Sequence, residues 1–210
     1  LRLQPRTFRW NSGRIAKITG LGLSNFIALG TNGLVQIACN TTLQTFGGDL
    51  YVGVMTVLMS IREVVQMPVS GLTNGAQPVI GYNYGAQTYD RVRQAIRFTV
   101  LSGIGYTTLI WAVLFFFPTG FILLFNDSPS LMEAAKPALH LYFFGYFMMS
   151  LQFAGQSVFV ALGRSKQAVF FSLLRKVVIV VPLTLILPHV AGLGVTGVFL
   201  AEPVSNFVGG

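Results

Sequence analysis

Six long runs of mostly apolar residues constrain this chain more than any other sequence feature. Each run holds roughly 20 residues, and a helix rises about 1.5 Å per residue, so one run can cross a hydrocarbon core of about 30 Å. Turn residues and charges divide the chain best into spans at residues 21–43, 51–70, 98–117, 139–162, 168–187 and 190–207. The runs therefore predict an all-α membrane fold, a bundle of six transmembrane helices.

Composition and periodicity argue against the alternatives. Charged residues make up 10% of the chain and hydrophobic residues 53%, whereas a soluble domain usually carries about 25% charge. A large soluble all-helical protein is the main alternative, but the runs at residues 111–117 and 177–187 are apolar on every side of a helix. Transmembrane β-strands would need about ten residues of strict alternation, and the sequence shows no such segments.

The basic residues gather in alternate connections. The net charge of +8 would suggest a nucleic-acid partner in a soluble protein. Here the basic residues precede the first span and follow the second and fourth: Arg2, Arg6, Arg9, Arg14, Lys17, Arg91, Arg93, Arg97, Arg164 and Lys166. The other connections, at residues 45–50, 118–133 and 188–194, contain no Lys or Arg. Because basic loops stay in the cytoplasm, we expect a multi-pass inner-membrane protein with both ends cytoplasmic and no nucleic-acid partner.

The two ends of the chain are typical of a fragment. Residues 1–17 are basic and interrupted by Pro5 and Gly13, which indicates the end of a cytoplasmic connector, and residues 18–210 form the predicted transmembrane bundle. The chain has no initiator Met and stops directly after an apolar run. We therefore expect a piece of a longer protein. Cys39 is the single cysteine, so no disulfide can form within the chain.

The longest predicted connector, residues 72–97, carries the most specific motif. The string GLTNGAQPVIGYNYGA at residues 71–86, followed by Arg91 and Arg93, resembles the multidrug and toxic compound extrusion (MATE) family, in which a similar string joins the second and third helices of the C-terminal half. Other segments that fit the family are residues 61–64, 67–68, 161–164 and 201–203, with Arg175 and Pro182. The resemblance covers nearly the whole chain and favours the drug-exporter branch.

This resemblance implies one half of a twelve-helix antiporter, in which two pseudo-symmetric bundles enclose a cavity. Amphiphilic organic cations would leave the cell as Na⁺ or H⁺ enters, by alternating access, and a negative cavity would suit such substrates. The chain would be the C-terminal bundle. Its partners would be the lipid bilayer, a missing N-terminal six-helix lobe and small organic cations. Neither an enzymatic activity nor a cofactor beyond the coupling ion is implied.

Two acidic residues inside the predicted spans are candidates for ion coupling. A charge at membrane depth costs about 2.5–3.5 kcal/mol on insertion scales, so it usually faces a cavity or a partner. Glu63 is the stronger candidate to attract a cation or take up a proton, and an ion pair with Arg175 is its structural alternative. Glu202 precedes Pro203, where the helix frees a carbonyl group. It is the second candidate, with packing or a hinge as its alternative.

Other polar and basic side chains in the spans are candidates for the lining of a substrate cavity: Asn32, Gln36, Arg62, Gln152, Gln156 and Arg175. Amides in a bilayer can bind ligands, or they can only join helices by hydrogen bonds worth about 0.6–2 kcal/mol. Arg62 can equally be a structural anchor. Tyr142 and Tyr146 would suit an aromatic drug pocket, although aromatic residues are also ordinary core material.

One departure from the family limits which of its functional residues can be assigned to this chain. In the sodium-coupled branch, a Glu in the first helix of this half and an Asp in the fourth help to bind sodium. Asn32 and Gln152 occupy those positions here. The uncharged amides put a sodium site within this half in doubt, and an Asp in the other half is the alternative coupling residue.

Two other functions stay open at the level of sequence. A lipid-linked saccharide flippase of the same superfamily would line its cavity with several basic residues, for which Arg62, Arg175 and Lys176 are candidates. A non-transporting membrane scaffold would leave the acids in the spans unexplained. His140 and His189 lack metal-ligand spacing with each other or with Cys39, and the connector glycines form no phosphate-binding motif.

Overall fold

The computed structural model describes residues 12–209, apart from the side chains of residues 14–18, 20–29, 165 and 191. Residues 1–11 of the predicted connector, with Arg2, Arg6 and Arg9, lie outside the described residues. The described part consists of helices and short turns and contains no β-strand. The prediction of an all-α fold is confirmed.

The first helix, α1 (Ser12–Gly85), contains two spans that meet at a kink. Gly48 has φ 68° and ψ −167°, a backbone conformation that is essentially restricted to glycine. This residue divides α1 into a first arm, residues 12–47, and a second arm, residues 49–85. The second arm continues through Pro68 and Pro78, because a proline removes only one backbone hydrogen bond and a supported membrane helix tolerates that loss.

The predicted connector at residues 72–97 is therefore wrong in its extent. Only Ala86, Gln87 and Thr88 separate α1 from α2 (Tyr89–Phe116), which forms the third span. The glycines of the motif differ in their surroundings. A Cβ atom at Gly81 would lie 3.1 Å from the carbonyl oxygen of Ala161, but Gly71, Gly75 and Gly85 have open space around them.

The fourth span is divided into two helices. After the short α3 (Pro118–Leu123), α4 (Pro129–Tyr142) and α5 (Tyr146–Ala161) are separated by a turn at residues 143–145. Gly145 has φ 74°, and a Cβ atom there would lie 2.5 Å from the ring of Phe207. Both the left-handed backbone and the close ring require a glycine, so the predicted single helix over residues 139–162 is interrupted at this point.

The fifth span changes its helical geometry along its length. It consists of α6 (Ser165–Leu173), a π-helix (Leu174–Val180), α7 (Val181–Ile186) and a 3₁₀-helix (Leu187–Gly192). Pro182 cannot donate a backbone hydrogen bond, and its ring would clash with a carbonyl group one α-turn earlier. The wider π-helix directly before α7 accommodates it. The last helix, α8 (Val195–Gly209), is the sixth span and begins after the 3₁₀-helix.

These elements form the expected six-span bundle. By length and hydropathy, three helical stretches among the described residues are able to cross a membrane: Gly30–Gly85, Tyr89–Phe116 and Lys166–Val190. The kink in α1 makes two spans of the first stretch, and the α4–α5 pair and α8 complete the six. The core lies between both arms of α1, α4, α5 and α8, and includes Leu43, Leu58, Leu139, Phe143 and Phe199.

Candidate functional site

A cavity of about 370 Å³ lies between the two arms of α1, α5, the fifth span and α8. All the predicted site residues line it: Asn32, Gln36, Arg62, Glu63, Gln152, Gln156, Arg175 and Glu202. The remaining lining residues are Val35, Met59, Gln66, Met149, Phe153, Ser172, Lys176 and Val180. The structure thus brings the predicted residues together, while their roles in binding or coupling stay predictions.

Helical spacing places these side chains on the cavity. On the second arm of α1, Met59, Arg62, Glu63 and Gln66 lie three, four and seven residues apart, which puts them on one face. On α5, the set of Met149, Gln152, Phe153 and Gln156 repeats the same spacing. Each helix therefore contributes both amide or charged groups and apolar side chains to the cavity wall.

A charged triad joins three of the spans. The Oε1 atom of Glu202 lies 2.8 Å from Nη2 of Arg62 and 3.0 Å from Nη2 of Arg175. Only 11% of the Glu202 side chain is exposed. Because desolvation of a charge is costly unless it is paired, the two guanidinium groups stabilise the carboxylate, and the triad as a whole keeps one positive charge.

Arg175 is fully engaged by protein groups. Its Nε donates to Oγ of Ser205 at 2.7 Å, its Nη1 donates to Gln152, and its Nη2 donates to Asn206 as well as to Glu202. Residues 202, 205 and 206 present these acceptors within one turn of α8. The structural alternative for Glu63, an ion pair with Arg175, is not formed, because Arg175 pairs with Glu202 on α8 instead.

Arg62 is anchored by an aromatic residue of the fourth span. Its Nη1 donates to the hydroxyl oxygen of Tyr142 at 2.8 Å, and its guanidinium carbon lies 5.9 Å from the centre of the same ring. Tyr142 and Tyr146 are buried in the core and do not line the cavity. Of the two interpretations of these tyrosines, ordinary core material agrees with the structure and an aromatic drug pocket does not. Tyr142 holds a cavity residue in place instead.

Two charged side chains of the lining, Glu63 and Lys176, form no ion pair among the described residues. Glu63 is exposed on the second arm and takes part in neither ion pair of the site. The ammonium group of Lys176 donates to the amide oxygen of Asn32, which links the fifth span to the first arm of α1. Sequence reasoning did not identify Lys176 as a cavity residue of an exporter. The sequence contained an indication, since a Lys directly after an Arg inside an apolar run places two charges at membrane depth.

The charges of the lining do not agree with the expectation of a negative cavity. Three basic side chains, Arg62, Arg175 and Lys176, face two acidic ones, Glu63 and Glu202. The cavity wall of this lobe is therefore not negative, as a site for cations would suggest, but carries a small positive excess.

Comparison with known proteins places the chain among membrane transporters. The MatE family model matches residues 26–186, and no curated protein sequence matches the chain. One similar solved structure is the outward-facing conformation of a multidrug resistance MATE family transporter of the MOP superfamily. It has a TM-score of 0.88 and 19% identity over 99% of this chain and 46% of that one.

Two further structures extend this comparison. A MOP superfamily transporter from Pyrococcus furiosus, described by the reverse polarity of its binding pocket, has a TM-score of 0.88, 19% identity and coverage of 99% and 46%. The MATE multidrug transporter DinF-BH in complex with R6G has a TM-score of 0.78, 32% identity and coverage of 97% and 46%. The chain thus spans about half the length of the solved structures it matches.

Proposed function

Because the chain belongs to the MatE family, we propose that it is the C-terminal six-helix lobe of a secondary active exporter. The observation that carries this proposal is the family match over residues 26–186 together with a fold that covers 46% of a solved transporter. An N-terminal lobe of six further helices would face the cavity and close it. The exported compounds would be amphiphilic organic molecules, exchanged for Na⁺ or H⁺.

The wall of the cavity supports an amphiphilic substrate. Apolar and polarizable side chains, Met59, Met149 and Phe153, alternate with the amides of Gln36, Gln152 and Gln156. Thioether and aromatic groups adapt to different apolar shapes, and amides supply donors and acceptors without a fixed charge. The relative that is 32% identical was solved in complex with R6G, which supports an organic dye as the test compound.

The two acids of the cavity are the proposed ion-coupling groups. Glu63 is exposed to the cavity without an ionic partner among the described residues, so it is free to exchange a proton or a cation. Glu202 is held by Arg62 and Arg175, so protonation of Glu202 would release both guanidinium groups from their shared partner. Release of these contacts between the second, fifth and sixth spans would permit the rearrangement that alternating access requires.

We place the lobe in the inner membrane with both ends of the chain cytoplasmic. Arg91, Arg93 and Arg97 are exposed at the start of α2, and Arg164 and Lys166 are exposed where the fifth span begins. The opposite connections lack basic residues. This asymmetry supports the orientation.

Dye transport tests the proposal. Everted vesicles with the full-length transporter should take up a cationic dye when a Na⁺ or H⁺ gradient is imposed, and should stop when that gradient is dissipated. The three basic residues of the cavity favour one second candidate, a lipid-linked saccharide flippase. Vesicles that move no dye but translocate a lipid-linked saccharide without an ion gradient would support the flippase. Vesicles that move neither would contradict both.

A further inference from the structure

Four charged side chains lie together in the cavity, and their charges do not balance. The cavity wall holds Arg62, Arg175, Lys176 and Glu202, and Glu202 pairs with both arginines. We call these four residues the basic cluster. Glu202 is its single acid, so three positive charges face one negative charge. Glu63 lines the same cavity and forms no ion pair with any of the four.

Glu202, the acid of the basic cluster, is already paired with both arginines. The Oε1 atom of Glu202 contacts both arginines, and Arg175 donates from every nitrogen of its guanidinium group. An ammonium group has three donors. Lys176 uses one of them on the neutral amide of Asn32. The remaining donors of Lys176 have no partner among the described residues.

An excess of positive charge inside a membrane protein is costly unless a counter-charge compensates it. No acid among the described residues forms an ion pair with Lys176, and Glu202 is already shared by Arg62 and Arg175. An anionic group in the cavity would remove this imbalance. It would also accept charge-assisted hydrogen bonds from the free donors of Lys176.

We infer that the basic cluster binds an anionic group of the substrate, a carboxylate or a phosphate, with Lys176 as its direct contact. Arg62 adds long-range attraction, and Asn32 holds the ammonium group in position. This inference rests on the proposed transport function and adds amphiphiles that carry an acid group to its substrates. An amphoteric molecule would meet Lys176 with its acid group and Glu63 with its cationic group, while Met59, Met149 and Phe153 contact its apolar part.

A matched pair of dyes tests the inference by binding alone, so that a failure of transport does not affect the result. Rhodamine 19 carries a free carboxylate, and its ethyl ester has the same cationic ring system without that charge. Fluorescence polarization with the purified full-length transporter should show tighter binding of the acid than of the ester. Lys176→Gln should weaken binding of the acid about tenfold, as expected for a lost hydrogen bond to a charged group, and leave the ester unchanged.

Two further variants separate binding from folding. Lys176→Arg keeps the charge and should retain most of the preference for the acid. Lys166→Gln removes an exposed charge outside the cavity and should change neither affinity. Equal binding of the two dyes by the unmodified transporter, absence of binding of the acid, or an equal loss of both dyes in Lys176→Gln would overturn the inference.

A competitor identifies the source of the anionic group. Farnesyl pyrophosphate that displaces rhodamine 19 from the unmodified transporter, but not from Lys176→Gln, would assign the basic cluster to a lipid phosphate. Tight binding of rhodamine 19 that farnesyl pyrophosphate does not affect would assign it to a carboxylate on a soluble amphiphile. Both results agree with an anion site at Lys176.

Discussion

Glu202 on the sixth span and Arg62 on the second are joined by an ion pair, with Oε1 and Nη2 2.8 Å apart. The same carboxylate oxygen also pairs with Arg175 on the fifth span. The second span is thereby tied to the fifth and sixth spans at the cavity wall. The triad commits Glu202 and Arg175 to protein contacts, which leaves Glu63 and Lys176 as the charges best able to meet a ligand.

Replacement of Glu202 by Gln should destabilise the lobe. The amide keeps the shape of the side chain but leaves both guanidinium groups without their counter-charge, and loss of one partner of a buried ion pair costs about 3–5 kcal/mol. We expect a clearly lower melting temperature for the detergent-purified full-length transporter. Glu63→Gln is the matched control, because Glu63 has no ionic partner among the described residues. Equal melting temperatures of the two variants would contradict the structural role of the triad.

Arg175→Lys should also lower the melting temperature, although it keeps the charge. An ammonium group cannot reproduce the planar fork that reaches Ser205, Gln152, Asn206 and Glu202 together. Arg164→Lys changes an exposed arginine in the turn before the fifth span and should melt like the unmodified protein. If Arg175→Lys melts like that control, the hydrogen bonds of Arg175 contribute little.

Glu63→Gln should lower ion-driven export of ethidium without affecting membrane insertion. Removal of the exposed acid of the cavity takes away a group that is able to exchange a proton or attract a cation. Dye efflux from cells that express the full-length variant measures the effect, and the amount of protein in the membrane measures insertion. Glu133→Gln changes an exposed acid of α4 that does not line the cavity, and its efflux should match the unmodified protein. Undiminished efflux by Glu63→Gln would remove Glu63 from the mechanism.

A cysteine at position 63 should react with a charged, water-soluble methanethiosulfonate reagent. Glu63 is exposed on the cavity wall, whereas the native Cys39 is buried and only 5% exposed, so background labelling should be low. Leu58→Cys, at a fully buried position of the same helix, is the matched control. Mass spectrometry of the labelled protein gives the extent of reaction. Lack of labelling at position 63 from both sides of the membrane, in every transport state, would contradict a water-filled cavity there.

Gly197→Ala should destabilise the contact between the fifth and sixth spans. An added Cβ atom would lie 2.6 Å from the backbone carbon of Leu187 and from the nitrogen of Pro188. Backbone atoms cannot move aside as a flexible side chain can, and overpacking of this kind costs about 1–3 kcal/mol. Gly105→Ala on α2 places its Cβ in open space and should leave the melting temperature unchanged or raise it, because alanine favours helices. Similar melting temperatures of both variants would contradict this prediction and show that the backbone at Leu187 and Pro188 relaxes.

Much of the site was predictable because helical periodicity is local. The spacing of Arg62, Glu63 and Gln66 on one helix, and of Gln152 and Gln156 on another, is determined by 3.6 residues per turn. Once these segments are recognised as membrane helices, their polar faces have to turn away from lipid. The amides and charges that line the cavity are therefore identifiable as candidates from their positions along the chain.

The partners of the charges were not predictable in the same way. Arg175 was considered as a structural partner of Glu63, yet it contacts Glu202, Ser205 and Asn206. The helical extension of α1 to Gly85 and the break at Gly145 depend likewise on support from neighbouring helices. A glycine or proline in the sequence permits a turn, but packing decides whether the turn forms.

The sequence by itself determined that the chain lies in a membrane, that it has six spans, and that it belongs to a transporter family. These properties follow from the transfer free energy of apolar runs, the placement of basic residues and one specific motif, all of which can be evaluated along the chain. Only the tertiary structure decided which charges neutralise each other and which remain available in the cavity. Electrostatic energy depends on distances between atoms, and the distances between helices are set by packing rather than by position in the sequence.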